Sequence, residues 1–332
     1  MNRLCEESET YRNHIPLLIT EAICAVACMP AFAMLMYIFF TRKQRPITSS
    51  MHFNFRLLLS NIWVVLMLQL GFTIFSNAYL LYFQIFDTEY CSNVFYTWQC
   101  SVLRWPLLWT VPAMIFIHGA AFVERLMATR KSRNYEHRGK RVALVAMIVL
   151  WLITITINSY VFSVPDMFEK LPYCLATFQK NQLKIKKFLH LLLPLELLIT
   201  FGDICLWWVN RQTQKKTVYS DYSLSKSFQQ SENTITSKLV LQISLLHSGF
   251  YIIYLVSTSA YRAVSSYDEH PMTFIVVVMN IHNIVVLGLT VCIIVYLWSL
   301  RVMDDKRKIR EMNQGSKKNT EMYFMLLYTQ LK

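Results

Sequence analysis

Glu124 and Arg125 stand side by side 25 positions after Cys100, and here residue type and spacing first combine into chemistry. At 1.5 Å per residue that interval is about 37 Å, roughly a bilayer with its interfaces. A cysteine is then pinned at one surface while an acid–base pair emerges at the other. A Glu beside an Arg at the inner end of a membrane helix can hold the Arg in a resting interaction until the bundle opens. A lone pair of this kind reads more plainly as a snorkelling Arg. Taken with the Cys100 offset and the helix plan below, Glu124 and Arg125 read as an activation switch.

Other polar groups lie inside apolar stretches, where they are expensive and face the bundle interior. Glu196 and Asp203 are seven positions apart, hence on one helix face, while His118, His247 and His282 fall singly on three different stretches. Single histidines without paired ligand spacing point to interhelical hydrogen bonds rather than to a metal site, so no metal and no cofactor are expected. Residues 200–203 read Thr-Phe-Gly-Asp, one glycine short of an intramembrane aspartyl protease motif and without a partner Asp in the adjacent stretches. No rhomboid-like Gly-x-Ser motif is present either, and an enzyme is not expected.

These residues need long helices to carry them. Seven apolar spans are read at 16–40, 57–82, 102–123, 142–162, 188–209, 239–261 and 272–297, each long enough to cross a hydrocarbon core of about 30 Å. Charged residues make up 16% of the chain against about 25% in soluble proteins, which excludes a water-soluble domain. The fold class is therefore an all-α seven-transmembrane helix bundle in one domain. A short segment 1–15 precedes it and a tail 298–332 follows.

Segments 41–56, 124–141, 210–238 and 298–332 hold 24 of the 33 Lys and Arg residues. Short cytoplasmic loops carry such an excess, so the N-terminus is expected outside and the C-terminus inside. Lys170, Lys180, Lys184, Lys186 and Lys187 run against this count, diluted by Asp166 and Glu169. The formal charge of +13 then forms a belt facing anionic lipid, with no nucleic acid as partner. The polar start, with Glu6, Glu7 and Glu9, does not resemble a signal peptide. No Asn-x-Ser/Thr acceptor occurs, and only seven glycines are present, which leaves no pair of broken helices of the inverted-repeat transporter kind.

Cys24, Cys28, Cys205 and Cys292 lie within spans, where a thiol acts mostly as a small hydrophobe. Cys5, Cys91, Cys100 and Cys174 share the expected outer side, where three pairings are open. Cys100 with Cys174 is favoured, because it ties the outer end of the third span to the loop between the fourth and fifth and closes that loop over the mouth of the bundle. Cys5 with Cys91 is then the remaining pair. A small-molecule pocket is expected between the outer halves of the third, fifth, sixth and seventh spans. Its candidate residues are Arg104, Trp105, Trp109, Pro112, Phe116, Tyr251, Tyr254, Phe274 and Asn280, although each aromatic alone is more often belt or core. Arg104, one turn from Cys100, can pair with an anionic ligand or snorkel to the interface.

With seven spans, Cys100 with Cys174, and Glu124-Arg125, the chain resembles a G-protein-coupled receptor. Trp151 and Pro194 match the Trp and Pro that rhodopsin-like members carry in their fourth and fifth helices. The seventh span has no Asn-Pro-x-x-Tyr and the sixth no Cys-Trp-x-Pro, and Leu126 replaces the usual aromatic residue. The strings HFNFRLLL (52–59), ERLMAT (124–129) with NYE (134–136), and SLSKSFQQSENTI (223–235) resemble hallmark stretches of the nematode serpentine chemoreceptor superfamily that includes the alpha, beta, alpha/beta and epsilon classes. The alpha/beta and alpha classes fit best.

The resemblance implies a chemoreceptor in the plasma membrane, on the sensory cilium of a neuron. It would bind an odorant or other small environmental molecule and signal to a heterotrimeric G protein. Arg130, Lys131, Arg133 and Lys140, with residues 223–238, would form part of the G-protein contact, against the plainer role of attracting lipid at about 1 kcal/mol per basic residue. A seven-helix ligand-gated channel or transporter is the alternative. Insect-type odorant channels of that kind carry the N-terminus inside, opposite to the charge count.

Overall fold

The computed structural model describes residues 2–41, 53–87, 91, 94–130, 140–163, 166–174, 181–217, 224–265 and 270–330. In chain order the elements are α1 (Asn2–Arg12), α2 (Ile15–Thr41), α3 (Phe53–Phe86), β1 (Phe95–Tyr96), α4 (Thr97–Arg130), α5 (Lys140–Val161), β2 (Lys170–Leu171), α6 (Gln182–Thr217), α7 (Leu224–Val264) and α8 (Pro271–Gln330). Seven of them, α2 to α8, are long and apolar enough to cross a membrane. Most run past their apolar stretches. Helix propensity does not stop at the edge of the hydrocarbon, and α8 continues from the seventh span through the polar residues beyond it.

Adjacent helices close a ring. α2 packs on α3, α3 on α4, α4 on α6, α6 on α7, α7 on α8, and α8 returns to α2, with α5 outside against α4 and α3. The apolar window of α4 is 56% buried, against 22–39% for the other six, so α4 is the central staff. Its interior carries Pro106 and Pro112. Each lacks an N–H, which leaves the carbonyls of Val102 and Leu108 without their usual helical donor. Such breaks are tolerated where neighbouring helices or side chains satisfy the freed groups.

Many polar residues in the spans are neutralised locally. Thr20, Thr73, Ser101, Thr154, Asn158, Thr200 and Thr290 each donate to the carbonyl four residues earlier, at 2.7–2.9 Å. Two glycines mark close approaches. A Cβ on Gly288 would lie 2.5 Å from the Cβ of Phe250, and one on Gly202 would lie 2.7 Å from the Phe122 ring.

A lid covers one end of the ring. β1 and β2 pair antiparallel, Phe95 with Leu171 and Tyr96 with Lys170. The first two N–H groups of α4, from Thr97 and Trp98, donate to the carbonyls of Glu169 and Met167 at 2.9 and 3.0 Å. The lid thus supplies partners that a helix N-terminus lacks. Cys100 is bonded to Cys174 and Cys5 to Cys91, with Cα separations of 5.1 and 4.8 Å. The second bond fastens α1 to the loop after α3, where Cys91 takes a left-handed backbone with φ of 71°.

Candidate functional site

Beneath the lid, between α3, α4, α6, α7 and α8, lies a cavity of about 120 Å³. Arg104 reaches it from α4, one turn below Cys100. Its Nη1 donates to Asn77 Oδ1 at 3.1 Å and to Ser76 Oγ at 3.4 Å, both on α3. Among the described residues, Nε and Nη2 of Arg104 are buried without a partner at hydrogen-bond distance, although the Tyr173 hydroxyl lies near the guanidinium. Arg262, near the end of α7, lines the same cavity and stacks on the Phe274 ring with its guanidinium carbon 5.3 Å from the centroid. His282 and Thr258 complete the polar lining, while Leu107, Leu189 and Leu192 are among the apolar walls.

The lid sets Tyr173 against Met279, a residue of the cavity wall. The ring stacks on Tyr11 of α1 at 5.4 Å, and the hydroxyl donates to Glu21 Oε1 of α2 and lies 3.6 Å from Met279 Sδ, part of the cavity wall. Burial holds the Tyr173 phenol well above its ordinary pKa, and the charge of Glu21 adds to the effect. Tyr173 is therefore a protonated donor at any physiological pH.

A second polar cluster lies further along α4, among α4, α6 and α7. His118 Nδ1 is 3.2 Å from Glu196 Oε1, and His118 Nε2 is 2.8 Å from Asp203 Oδ2. Ser244 Oγ reaches both His118 Nε2 (2.5 Å) and Asp203 Oδ2 (2.6 Å), and Ser248 donates to Glu196 at 2.6 Å. Thr200 in turn donates to Ser248, and His247 Nδ1 approaches Glu196 at 3.5 Å. Ligand atoms of His118, Glu196 and His247 lie within 4.8 Å of one another, a spacing that a metal ion could use. His118, Glu196 and Asp203 are already joined by hydrogen bonds, while His247 Nε2 is buried without a hydrogen-bond partner among the described residues. An apolar cavity of about 90 Å³, walled by Trp63, Met114 and Tyr296 among others, adjoins His118 and His247.

At the far end of α4, Arg125 donates to its neighbour Glu124 twice, Nε to Oε2 at 2.5 Å and Nη2 to Oε1 at 2.9 Å. Both residues are buried. One turn on, Thr129 donates to Asn210 of α6 at 3.0 Å, joining the two helices.

The family models match here. Residues 2–332 fit the family described as serpentine type 7TM GPCR receptor class ab chemoreceptor. The chain belongs to this family. Two Caenorhabditis elegans relatives agree: serpentine receptor class alpha-39, 25% identical over 53% of this chain and 47% of its own length, and serpentine receptor class alpha/beta-14, 23% identical over 66% and 57%. The matched stretches thus span about half the length of these relatives.

In this serpentine receptor the cavity takes only part of the expected pocket set. Arg104, Pro112 and Tyr254 line it. Trp105, Trp109 and Phe116 do not; at about 100° per residue they lie roughly 100–140° around α4 from Arg104, past Pro112 at the rim of the lining face. Trp105 and Trp109 instead approach each other at 6.4 Å. Tyr251 packs on His247 at 4.1 Å, Phe274 lies under Arg262, and Asn280 is exposed and donates to Thr20 at 3.2 Å. Of the basic set, Arg130 is exposed at the end of α4 and Lys140 starts α5, while Lys131 and Arg133 lie outside the described residues.

Sequence reasoning does not single out Glu21, Tyr173 or Arg262. A sixth span ending at 261 leaves Arg262 in a connector, yet Tyr254, Thr258 and Arg262 recur every four residues and so share one helix face. That periodicity is the available signal. For Glu21 it is a lone acid among apolar residues in the first span.

Proposed function

We propose that this multi-pass membrane protein is a chemosensory G-protein-coupled receptor whose lid faces outside, in the plasma membrane of a sensory neuron. A small environmental molecule enters the cavity under the lid, and a heterotrimeric G protein engages the Glu124–Arg125 end. The observation that carries the reading is the shape of α4. One helix has its first turn tied to the lid, its second turn carrying Arg104 into a mostly apolar cavity, and a buried ion pair at the opposite end. The family supports a receptor rather than an enzyme.

The switch works through differential stability. A resting interaction that disappears on activation biases the two states by its own energy alone, and about 1.4 kcal/mol changes their ratio tenfold. Glu124→Gln should raise basal output and Arg125→Ala should lower agonist-driven output at equal surface level. The test is a ligand screen in cells with a G-protein readout, signal normalised to surface receptor, with accessibility tags on both termini. A cytoplasmic N-terminus, or wild-type signalling by both variants, would sink the reading.

A further inference from the structure

The cavity under the lid holds buried donors of Arg104 that the described residues do not satisfy. Arg104 and Arg262 bring two guanidinium groups to one small space. Among the described residues, the carboxylate within electrostatic reach of Arg104 is Glu21; its Oε1 accepts from Tyr173, and its Oε2 makes no hydrogen bond, to Arg104 or to any other described residue. Two of the three Arg104 nitrogens, Nε and Nη2, have no partner at hydrogen-bond distance among those residues, although Arg104 is only 7% exposed. A buried charge is stable when paired and hydrogen-bonded, and buried donors left without acceptors are costly. Nε and Nη2 are also two of the donors of a planar fork whose geometry matches a carboxylate, two parallel N–H groups meeting two oxygens.

The remaining walls say what is attached to that head. They are mostly aliphatic and aromatic, from Leu107, Val111, Phe188, Leu192 and Tyr254 among others. Their volume, about 120 Å³, is near the apolar cavity of about 150 Å³ that accepts benzene. We propose that this cavity takes a small monoanionic ligand with a carboxylate head, held on Nε and Nη2 of Arg104 near Arg262, and an apolar body about the size of a benzene ring. The proposal rests on the receptor reading only for the route by which the ligand arrives. The anion supplies the acceptors that Nε and Nη2 of Arg104 lack. Tyr173, protonated and donating to Glu21, abuts the Met279 wall of the cavity without adding a negative charge.

The experiment uses the full-length receptor in phosphatidylcholine nanodiscs, with benzoate and hexanoate set against benzamide and hexanol. Binding is read by ligand-observed NMR and by the shift in thermal unfolding. Both acids should bind at least tenfold more tightly than their neutral counterparts. Arg104→Gln should bring the acids down to the neutral level, and Val278→Phe, which fills the cavity from α8, should abolish binding of acid and neutral compound alike. Across straight-chain acids from butanoate to palmitate, the optimum should fall at six to eight carbons, the mark of a diffusible acid. An optimum at palmitate would make the ligand a membrane fatty acid and overturn the size argument. Equal affinity for acid and neutral compound, no binding of either acid at millimolar concentration, or a preference that survives Arg104→Gln would overturn the proposal. Should Arg104→Gln fail to fold, the acid-to-neutral ratio on the unaltered receptor still decides. No G protein enters this measurement, so a silent receptor that binds benzoate counts against the signalling reading alone.

Discussion

Arg104 and His118 sit on the same helix, 14 positions or about 21 Å apart, and both are buried polar groups in an apolar bundle. The fold treats them in opposite ways. His118 has a carboxylate at each ring nitrogen, and the hydroxyls of Ser244, Ser248 and Thr200 complete the arrangement. Arg104 has acceptors for one nitrogen and none for the other two. The first is a network in which both ring nitrogens of His118 are engaged, and it joins three helices. The second is an unfinished one, and an unfinished network around a cavity is what a binding site looks like before its ligand arrives. Polarity inside a membrane therefore does not by itself separate structure from function. Satisfaction does.

The largest effect expected from breaking that comparison comes from the His118 network. Removing one partner of a buried pair costs about 3–5 kcal/mol, because the others are left uncompensated. Glu196→Ala and His118→Ala should each sharply reduce the folded receptor, seen as reduced surface expression and a lower unfolding midpoint in detergent. The double variant should cost little more than either single one, since both remove the same interaction. Additive effects would mean that the two residues act separately and that the network is not one unit.

The lid lies above the open site, and cutting its bond to α4 should have the next largest effect. Cys100→Ser and Cys174→Ser should each lower stability by about 2–5 kcal/mol and should match the double variant. Unequal effects, or peptide mapping that joins Cys174 to Cys91 or Cys5, would detach the lid from the site. Smaller again is the helix packing at Gly288. Gly288→Ala drives a methyl into the Cβ of Phe250, which cannot swing away, and should cost about 1–3 kcal/mol. Gly202→Ala meets only the far edge of the Phe122 ring, which can rotate, so it should cost less in the same melting assay. The reverse order would show that the packing between α7 and α8 is the looser of the two.

The seven spans are legible in the sequence because hydropathy depends on local composition, and Glu196 and Asp203 are legible as one face because their separation is two helical turns. That both point at His118 is not legible, since the separations of 78 and 85 positions carry no spatial information. Three aromatic pocket candidates lie outside the cavity lining for a different reason. Trp105, Trp109 and Phe116 qualify by residue type, whereas membership of the cavity is decided by where each falls around and along the helix axis, and all three lie beyond the rim that Pro112 marks. Arg104 is legible because Cys100 fixes its depth and its face together. Glu21 and Tyr173 are not, because they meet only when the lid folds across α2.

The smallest effect expected is the one that separates the two regions most cleanly. Arg104→Met keeps a long unbranched side chain, removes the charge, and leaves Asn77 and Ser76 without the bonds they make to Nη1. It also removes two donors that are buried without acceptors, and replacing an imperfectly paired buried ion by an apolar residue of similar volume is often neutral or stabilising. The two effects nearly cancel, so the unliganded receptor should change by less than about 1 kcal/mol, far below the 3–5 kcal/mol expected at Glu196 or His118. The stabilisation that a carboxylate ligand gives should meanwhile vanish. The check is a pair of melting curves, with and without benzoate, on wild type and on Arg104→Met. If Arg104→Met lowers stability as severely as His118→Ala without ligand, then Arg104 belongs to the same kind of network as His118 after all, and its open nitrogens are not a site in waiting.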